Sequence, residues 1–249
     1  MLRQALLDRA QRGDRLFRWR GGEISRVEGL TDGVFALAMT LLIVPFEVQG
    51  AESFEQFEAI LLRAPVMAVC IAFLVMVWQS HFVFHRRYGL EDGVTVWLNG
   101  GFLLVLMLGV YPLKLLSTLL VNSFTSLGDG LTMADLGREQ VTWLMQVYGL
   151  GFGLMYVALF AMVLRAWRRR EVLELDAAER CLTLGLLAGH GVMIGTAILS
   201  VSLASVGMPS LAGLAFFLIG PLQGLVGWRF GARAEALVAD RPSEAETIA

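Results

Sequence analysis

The side chains able to do chemistry are few, and nearly all sit in apolar surroundings. The stretch "RVEGLTDGVFALAMTLLIVPFEV", residues 26–48, carries Arg26, Thr31 and Asp32 at its head and then runs without charge from Gly33 to Val44, with Thr40 as the only hydroxyl in that run. Trp78 and His81 lie in a second apolar stretch, Asn99 opens a third, Lys114 stands toward its far end, and His190 and Gln223 fall inside two later ones. Such groups can pair with one another or relay a proton, because ionisable side chains surrounded by hydrocarbon need partners. Covalent catalysis has little to stand on: His81, His85 and His190 form no ligand-spaced set, and there is no Ser–His–Asp order to defend. Cys70 and Cys181 are isolated, with neither a disulfide framework nor metal spacing, and read as small core residues. The expectation is a protein that is not an enzyme, with no cofactor, no metal and no nucleic-acid partner.

The elements that must position these residues are membrane spans. Hydrophobic residues make up 56% of the 249-residue chain and charged ones 17%, with a mean hydropathy of +0.65, where a soluble domain has roughly 45–50% apolar and about 25% charged residues. A span needs about 20 apolar residues, and runs of that kind occur near 29–48, 61–84, 94–120, 140–165, 181–204 and 209–231. Six helices in an all-α membrane domain, residues 26–231, are therefore expected, between a basic N-terminal segment (1–25) and a tail (232–249). The N-terminal segment lacks the continuous apolar core of a cleavable signal. It reads either as a short interfacial helix built on Leu2, Leu6, Leu7, Leu16, Phe17 and Trp19 or as a frayed tail. The tail, "ARAEALVADRPSEAETIA", loses its apolar period and is expected to fray.

Orientation follows from the arginines. They crowd the N-terminus, Arg86 and Arg87, the run Arg165 to Arg180, and Arg229, Arg233 and Arg241, regions that share one side if six helices alternate. The other side carries Glu47, Glu52, Glu55, Glu58, Asp129, Asp135 and Glu139. By the positive-inside rule both termini are expected in the cytoplasm. No soluble domain is inserted and no internal repeat occurs, which weakens an inverted-repeat transporter. Glycines four apart, Gly149 and Gly153, Gly185 and Gly189, Gly191 and Gly195, Gly220 and Gly224, permit close helix packing.

With this topology Arg26, Asp32, His81 and Asn99 fall at one depth, with Trp78 one turn from His81. Two readings stand. Thr31 and Asp32 could cap the first helix, where a carboxylate meets free N–H groups and the positive end of the dipole, or the whole layer could form a paired polar network. His190 and Gln223 near mid-membrane read as a relay or as a neutral interhelical hydrogen bond, and Lys114 as a snorkelling side chain. In the first helix Leu37, Thr40, Leu41 and Val44 share a face. That face could meet lipid, bundle core or a path for ions, and its periodicity alone does not choose.

The opening stretch resembles a known signature. "RVEGLTDGVFALAMTLLIV" is similar to R-x-x-x-F-S-D-G-x-F-A-I-A-x-T-L-L in the first helix of the lysosomal potassium channel transmembrane protein 175 and its bacterial relatives. "WQSHFVFH" resembles that family's second-helix Trp and His pattern, and "WLNGGFLLVLMLGVYPLKLL" its third helix. Leu30 and Thr31 stand where the signature has Phe and Ser, and Leu113 follows Pro112 where Phe is usual. The resemblance implies a six-helix subunit of a homotetramer in the cell (inner) membrane, passing potassium ions along an axis lined by the first helix. No T-V-G-Y-G filter occurs in the chain, so the resemblance places the narrowing on apolar side chains, with Leu37 at the constriction and Thr40 and Val44 next along the path. It assigns Arg26 and Asp32, with His81, to a clamp holding that helix. The expectation is a potassium-permeable channel with a hydrophobic gate; the alternatives are a proton-coupled carrier titrating Asp32, His81 and His190, and a non-transporting structural membrane protein.

Overall fold

The structure is a computed structural model that describes residues 16–47, 54, 58, 61–124, 132 and 135–239, with backbone alone at 43–47 and 124. Among the described residues the chain is all-helical: α1 (Arg26–Glu47), α2 (Ala64–Tyr88), α3 (Gly93–Phe124), α4 (Arg138–Arg168), α5 (Ala177–Ser205) and α6 (Pro209–Ala239), the last with a 3-10 turn at Ala215–Leu218. Five of these, α2 to α6, are long and apolar enough to cross a membrane. They make the protein a multi-pass membrane protein. The 22 residues of α1 cover about 33 Å at 1.5 Å per residue, over the stretch expected as the first span.

Sequence signals set the helix ends. Pro65 and Pro209 stand in the first turns of α2 and α6, where the missing N–H is no loss. Asp176 caps α5 by accepting from Glu179 N at 2.9 Å while Glu179 accepts from Asp176 N at 3.1 Å, a reciprocal capping box. Gly89 ends α2 with φ +58°, a conformation that costs glycine little. Inside α3 the helix continues through Pro112, which removes one backbone donor from the ladder.

α1 packs against α2 and α3, α3 against α4, and α4, α5 and α6 against one another in sequence. The shared core runs from Phe35 and Leu42 through Leu74, Val77, Phe102 and Leu106 to Phe152, Tyr156 and Met193. Two of the four glycine pairs lie at helix contacts: a Cβ on Gly149 would meet Val201 at 2.7 Å and one on Gly185 would meet Phe230 at 2.9 Å. Gly191, Gly195, Gly220 and Gly224 face open space in the subunit. The helical period of α6 also runs past 231, because Ala234, Leu237 and Val238 pack on Ala178, Cys181 and Leu182 of α5. The tail therefore frays no earlier than Ala239. Residues 1–15, the connection around Asp129 and the chain from 240 onward lie outside the described residues.

Leu16 to Gly22 form neither an interfacial helix nor a frayed tail, but an irregular strap docked across the basic end of the bundle. Phe17 is buried edge-on against Tyr88, with Arg87 over its ring at 4.7 Å. The N–H groups of Arg20 and Gly21 both donate to Arg86 O at 3.1 Å. A Cβ on Gly21 would stand 2.4 Å from His85 O, so only glycine fits that crossing. Arg20 donates to both carboxylate oxygens of Glu179, at 3.0 and 2.6 Å, and the strap then hands the chain directly to α1.

A second ionic tie closes the same end. Asp92, in the α2–α3 turn, accepts from Arg165 Nε at 2.9 Å on both oxygens, from Arg169 at 3.1 Å and from Thr95 N at 3.0 Å. The Arg165 hydrogen bonds, with the Thr95 bonds behind them, hold its carboxyl well below the usual carboxylate range. A folded-state pKa below the unfolded value contributes stability above about pH 4 that is lost as the pH falls further through the folded value. Asp92→Asn is accordingly expected to lower the thermal midpoint at pH 7 and to flatten its decline below about pH 4. Melting curves in detergent that run parallel for parent and variant across that range would remove Asp92 as a source of acid sensitivity.

Candidate functional site

The head of α1 is capped one residue before the helix begins. Ser25 Oγ accepts from Glu28 N at 3.1 Å and Glu28 accepts from Ser25 N at 3.0 Å, an S-x-x-E capping box. This overturns the capping reading of Thr31 and Asp32, which stand more than a turn inside the helix. The signal is present in "SRVE" and is hidden by the more conspicuous "TDG" that follows.

Thr31, Asn99 and His81, all at most 2% exposed, form one connected set across α1, α3 and α2. Asn99 Nδ2 donates to Thr31 Oγ1 at 3.0 Å, and Thr31 passes its own proton to Val27 O at 2.9 Å. His81 Nε2 lies 2.8 Å from Asn99 Oδ1. An amide oxygen only accepts, so this bond requires the proton of His81 on Nε2. The imidazole is further fixed by Phe102, stacked at 5.6 Å and 10°, and by His85, whose ring centroid is 4.4 Å away.

Asp32 belongs to a different pair: its Oδ1 accepts from Trp78 Nε1 at 2.7 Å, and Trp78 stacks on Phe82 at 5.3 Å. Arg26 joins neither group. It is exposed, and among the described residues it makes no hydrogen bond or ion pair. The single layer expected from depth thus resolves into a buried triad, a separate Asp–Trp pair and one arginine apart.

The rest of α1 divides cleanly into two faces. Thr31, Phe35, Ala38 and Leu42, spaced i, i+4, i+7 and i+11, are at most 2% exposed and seat the helix on α2 and α3. The opposite face carries Arg26, Leu30, Gly33, Ala36, Leu37 and Thr40, all exposed within the subunit, with Leu37 at 51%. Leu41 is half-buried against the core. Thr40 returns its hydroxyl proton to Ala36 O at 2.9 Å, so it adds no unmet donor to that face. The side chain of Val44 lies outside the described residues.

The other polar residues go to packing. Gln223 Nε2 donates to Gly189 O at 2.8 Å, an interhelical bond made to backbone beside His190, while the His190 ring faces Tyr156 at 5.8 Å. Cys70 and Cys181 are buried free thiols, and Lys114 is half-buried on α3.

Comparison with known proteins bears on this arrangement. Residues 26–109, which hold the whole of the triad and both faces of α1, match the family described as "Endosomal/lysosomal potassium channel TMEM175". A protein of Marivirga tractuosa named "Potassium channel" is 30% identical over 236 residues, covering 90% of this chain and 94% of that one. The chain belongs to the TMEM175 potassium-channel family. A crystal structure of the potassium channel MtTMEM175, a threonine-to-alanine variant in complex with a nanobody–MBP fusion protein, superposes on the TMEM175-family chain with a TM-score of 0.76. That pair is 28% identical, and the alignment covers 87% of this chain and 97% of the solved one. The similarity therefore extends past the matched family region into α4 to α6, where the sequence offered no motif. The relatives bear the names of channels, not of enzymes.

Proposed function

We propose that the chain is one subunit of a homotetrameric, potassium-permeable channel of the inner membrane, with cytoplasmic termini and with α1 crossing the membrane to line the path. The observation that carries this reading is the two-faced α1. One side is locked into the subunit by Thr31, Phe35, Ala38 and Leu42, and the other, with Leu30, Gly33, Leu37 and Thr40, is left without a partner among the described residues. Four copies meeting about an axis would cover that face and enclose a conduit whose narrowest apolar ring is Leu37, followed by Thr40 and Val44. Such a ring blocks ions by dewetting and offers no dipoles to replace their water. The Thr31–Asn99–His81 triad and the Asp32–Trp78 pair then act as the clamp that sets the rotation of α1. The cytoplasmic assignment rests on the arginines of the strap and of the α2, α4 and α6 ends, which gather at one end of the bundle.

Reconstituted liposomes test the proposal. A potassium gradient is expected to collapse in the presence of protein at rates beyond carrier turnover, without need of a proton gradient, and the purified protein is expected to count four subunits. Flux that stops when the proton gradient is clamped would select the coupled carrier. No flux from an intact oligomer would select a structural role.

A further inference from the structure

A groove opens in the side of the bundle at the end away from the strap, lined by α3 and the first half of α6 with α4 between them. Its volume is about 1300 Å³. An apolar cavity of about 150 Å³ takes one benzene, so this space, walled by Leu120, Leu211, Leu214 and Phe217, has room for a long apolar chain. Its extent along α4 sets its depth. Arg138 and Phe152 both line it, and at 1.5 Å per residue they stand about 21 Å apart along the helix. One leaflet with its headgroup region measures about 20–22 Å, half of a whole bilayer. Phe152 lies at the middle of the 31-residue α4, and its ring, 5.9 Å from Phe73 and 5.2 Å from Phe216, belongs to an aromatic set at the deep end. Trp143, 66% exposed, stands about 7.5 Å below Arg138, at the interfacial level where tryptophan is enriched. Arg138 is thereby placed among the lipid headgroups.

The mouth of the groove carries one cation between two acids. Arg138 donates to Gly207 O and makes no ion pair among the described residues. A guanidinium has five N–H donors, so most of the fork is left for an incoming oxyanion, and a phosphate can take two parallel bonds from it. Gly207 has φ +79°, and a Cβ there would stand 3.2 Å from the guanidinium, so glycine keeps this approach open. Asp135 and Glu139 flank Arg138 in the sequence and are exposed. Asp135 accepts from Thr132 N and Oγ1 at 2.8 and 2.6 Å, neutral donors that leave its charge in place. One positive and two negative charges disfavour a headgroup that is itself net negative, yet they match a head carrying both a phosphate and an ammonium. We propose that the groove holds one phospholipid with a zwitterionic, primary-amine headgroup. One acyl chain lies between α3 and α6, the phosphate takes the Arg138 fork, and the ammonium donates to Asp135 and Glu139. A quaternary ammonium has no N–H to give, and a fatty acid brings a carboxylate with no ammonium to meet the two acids. Because it binds the folded bundle, the lipid also stabilises it.

The site needs only the membrane-spanning bundle and not the conduction path, so binding is read directly. The test is native mass spectrometry of the full chain in detergent, supplied with equal amounts of phosphatidylethanolamine, phosphatidylcholine, phosphatidylglycerol and oleic acid. One phosphatidylethanolamine per subunit is expected to stay bound, about tenfold more readily than the other three, the ratio that one charge-assisted hydrogen bond supplies. Arg138→Gln should lower its retention about tenfold, and Asp135→Asn with Glu139→Gln should remove its advantage over phosphatidylglycerol. Gly213→Leu should lower the retention of all four, because a Cβ there meets Met145 Sδ, on the groove wall, at 3.8 Å. It should also lose the rise in melting temperature that phosphatidylethanolamine gives the parent. Neither the two acids nor Gly213 belongs to the contact between Arg138 and Gly207, so these variants decide even where Arg138→Gln fails to fold. Equal retention of all four lipids, a preference for phosphatidylglycerol or oleic acid, or full retention by Arg138→Gln overturns the proposal. So does an assembled parent that retains no lipid while Gly213→Leu separates into single subunits, which would make the groove the seat of a neighbouring copy.

Discussion

Leu37→Asn is expected to raise basal potassium conductance roughly tenfold, the change that follows from about 1.4 kcal/mol removed from a barrier. Leu and Asn differ little in size, so a steric plug would be preserved while a dry one is wetted; the substitution separates the two kinds of gate. Leu37→Ala should also increase conductance, by shortening each wall, and should weaken discrimination between potassium and sodium because the widened ring admits partly hydrated ions. Leu41 is the internal control. It is half-buried against the core, so Leu41→Ala removes packing and is expected to cost stability on the order of 0.5–3 kcal/mol with a smaller change in current per channel. Single-channel recordings in which Leu41→Asn conducts better than the parent and Leu37→Asn does not would mean that α1 is turned by about one residue from the orientation that points Leu37 at the axis. If neither changes the flux of an assembled protein, α1 does not line the path.

That experiment depends on the rotation of a helix, and rotation is what the sequence leaves most open. Apolar runs and arginine clusters disclose the long helices and which of their ends lie together, since both depend only on local composition. They do not say which side of α1 is covered, because Phe35 and Leu37 are equally apolar and only packing separates 2% from 51% exposure. Depth arguments bring Arg26, Asp32, His81 and Asn99 into one layer, yet hydrogen bonding is angular. It joins His81 and Thr31 through Asn99, sends Asp32 to Trp78 and leaves Arg26 outside.

The ionic ties at the basic end leave no pattern in the sequence at all. Arg20 and Glu179 are 159 residues apart and Asp92 and Arg165 are 73 apart. In a linear reading their arginines register only as topology signals and their acids only as loop charges. The docking of the strap has one local hint, the pair Gly21 and Gly22, which reads equally well as a flexible linker. The extension of α6 to Ala239 is obscured for a similar reason, because small alanines carry little hydrophobic signal yet fit closely against α5.

Asn99 is the residue whose loss is expected to damage the fold of this region most. It is 2% exposed and serves two helices at once, accepting from His81 at 2.8 Å and donating to Thr31 at 3.0 Å. Asn99→Leu keeps the branched shape, with bulkier methyl groups, but leaves the His81 N–H without an acceptor and Thr31 without its donor. A buried polar group deprived of its partner costs about 1–3 kcal/mol, so the variant should melt markedly earlier and yield less oligomer. Asp32→Asn should be milder, because the amide oxygen of Asn can still accept from the Trp78 indole. Asn99→Leu combined with His81→Phe removes both ends of one bond, and should recover part of the lost stability, since replacing both partners by apolar groups can be nearly neutral. Thermal unfolding and size-exclusion profiles in detergent decide the matter. A single Asn99→Leu variant that melts with the parent, or a double variant no better than the single one, would show that the triad does not hold α1 in place. The orientation proposed for Leu37 would then need another explanation.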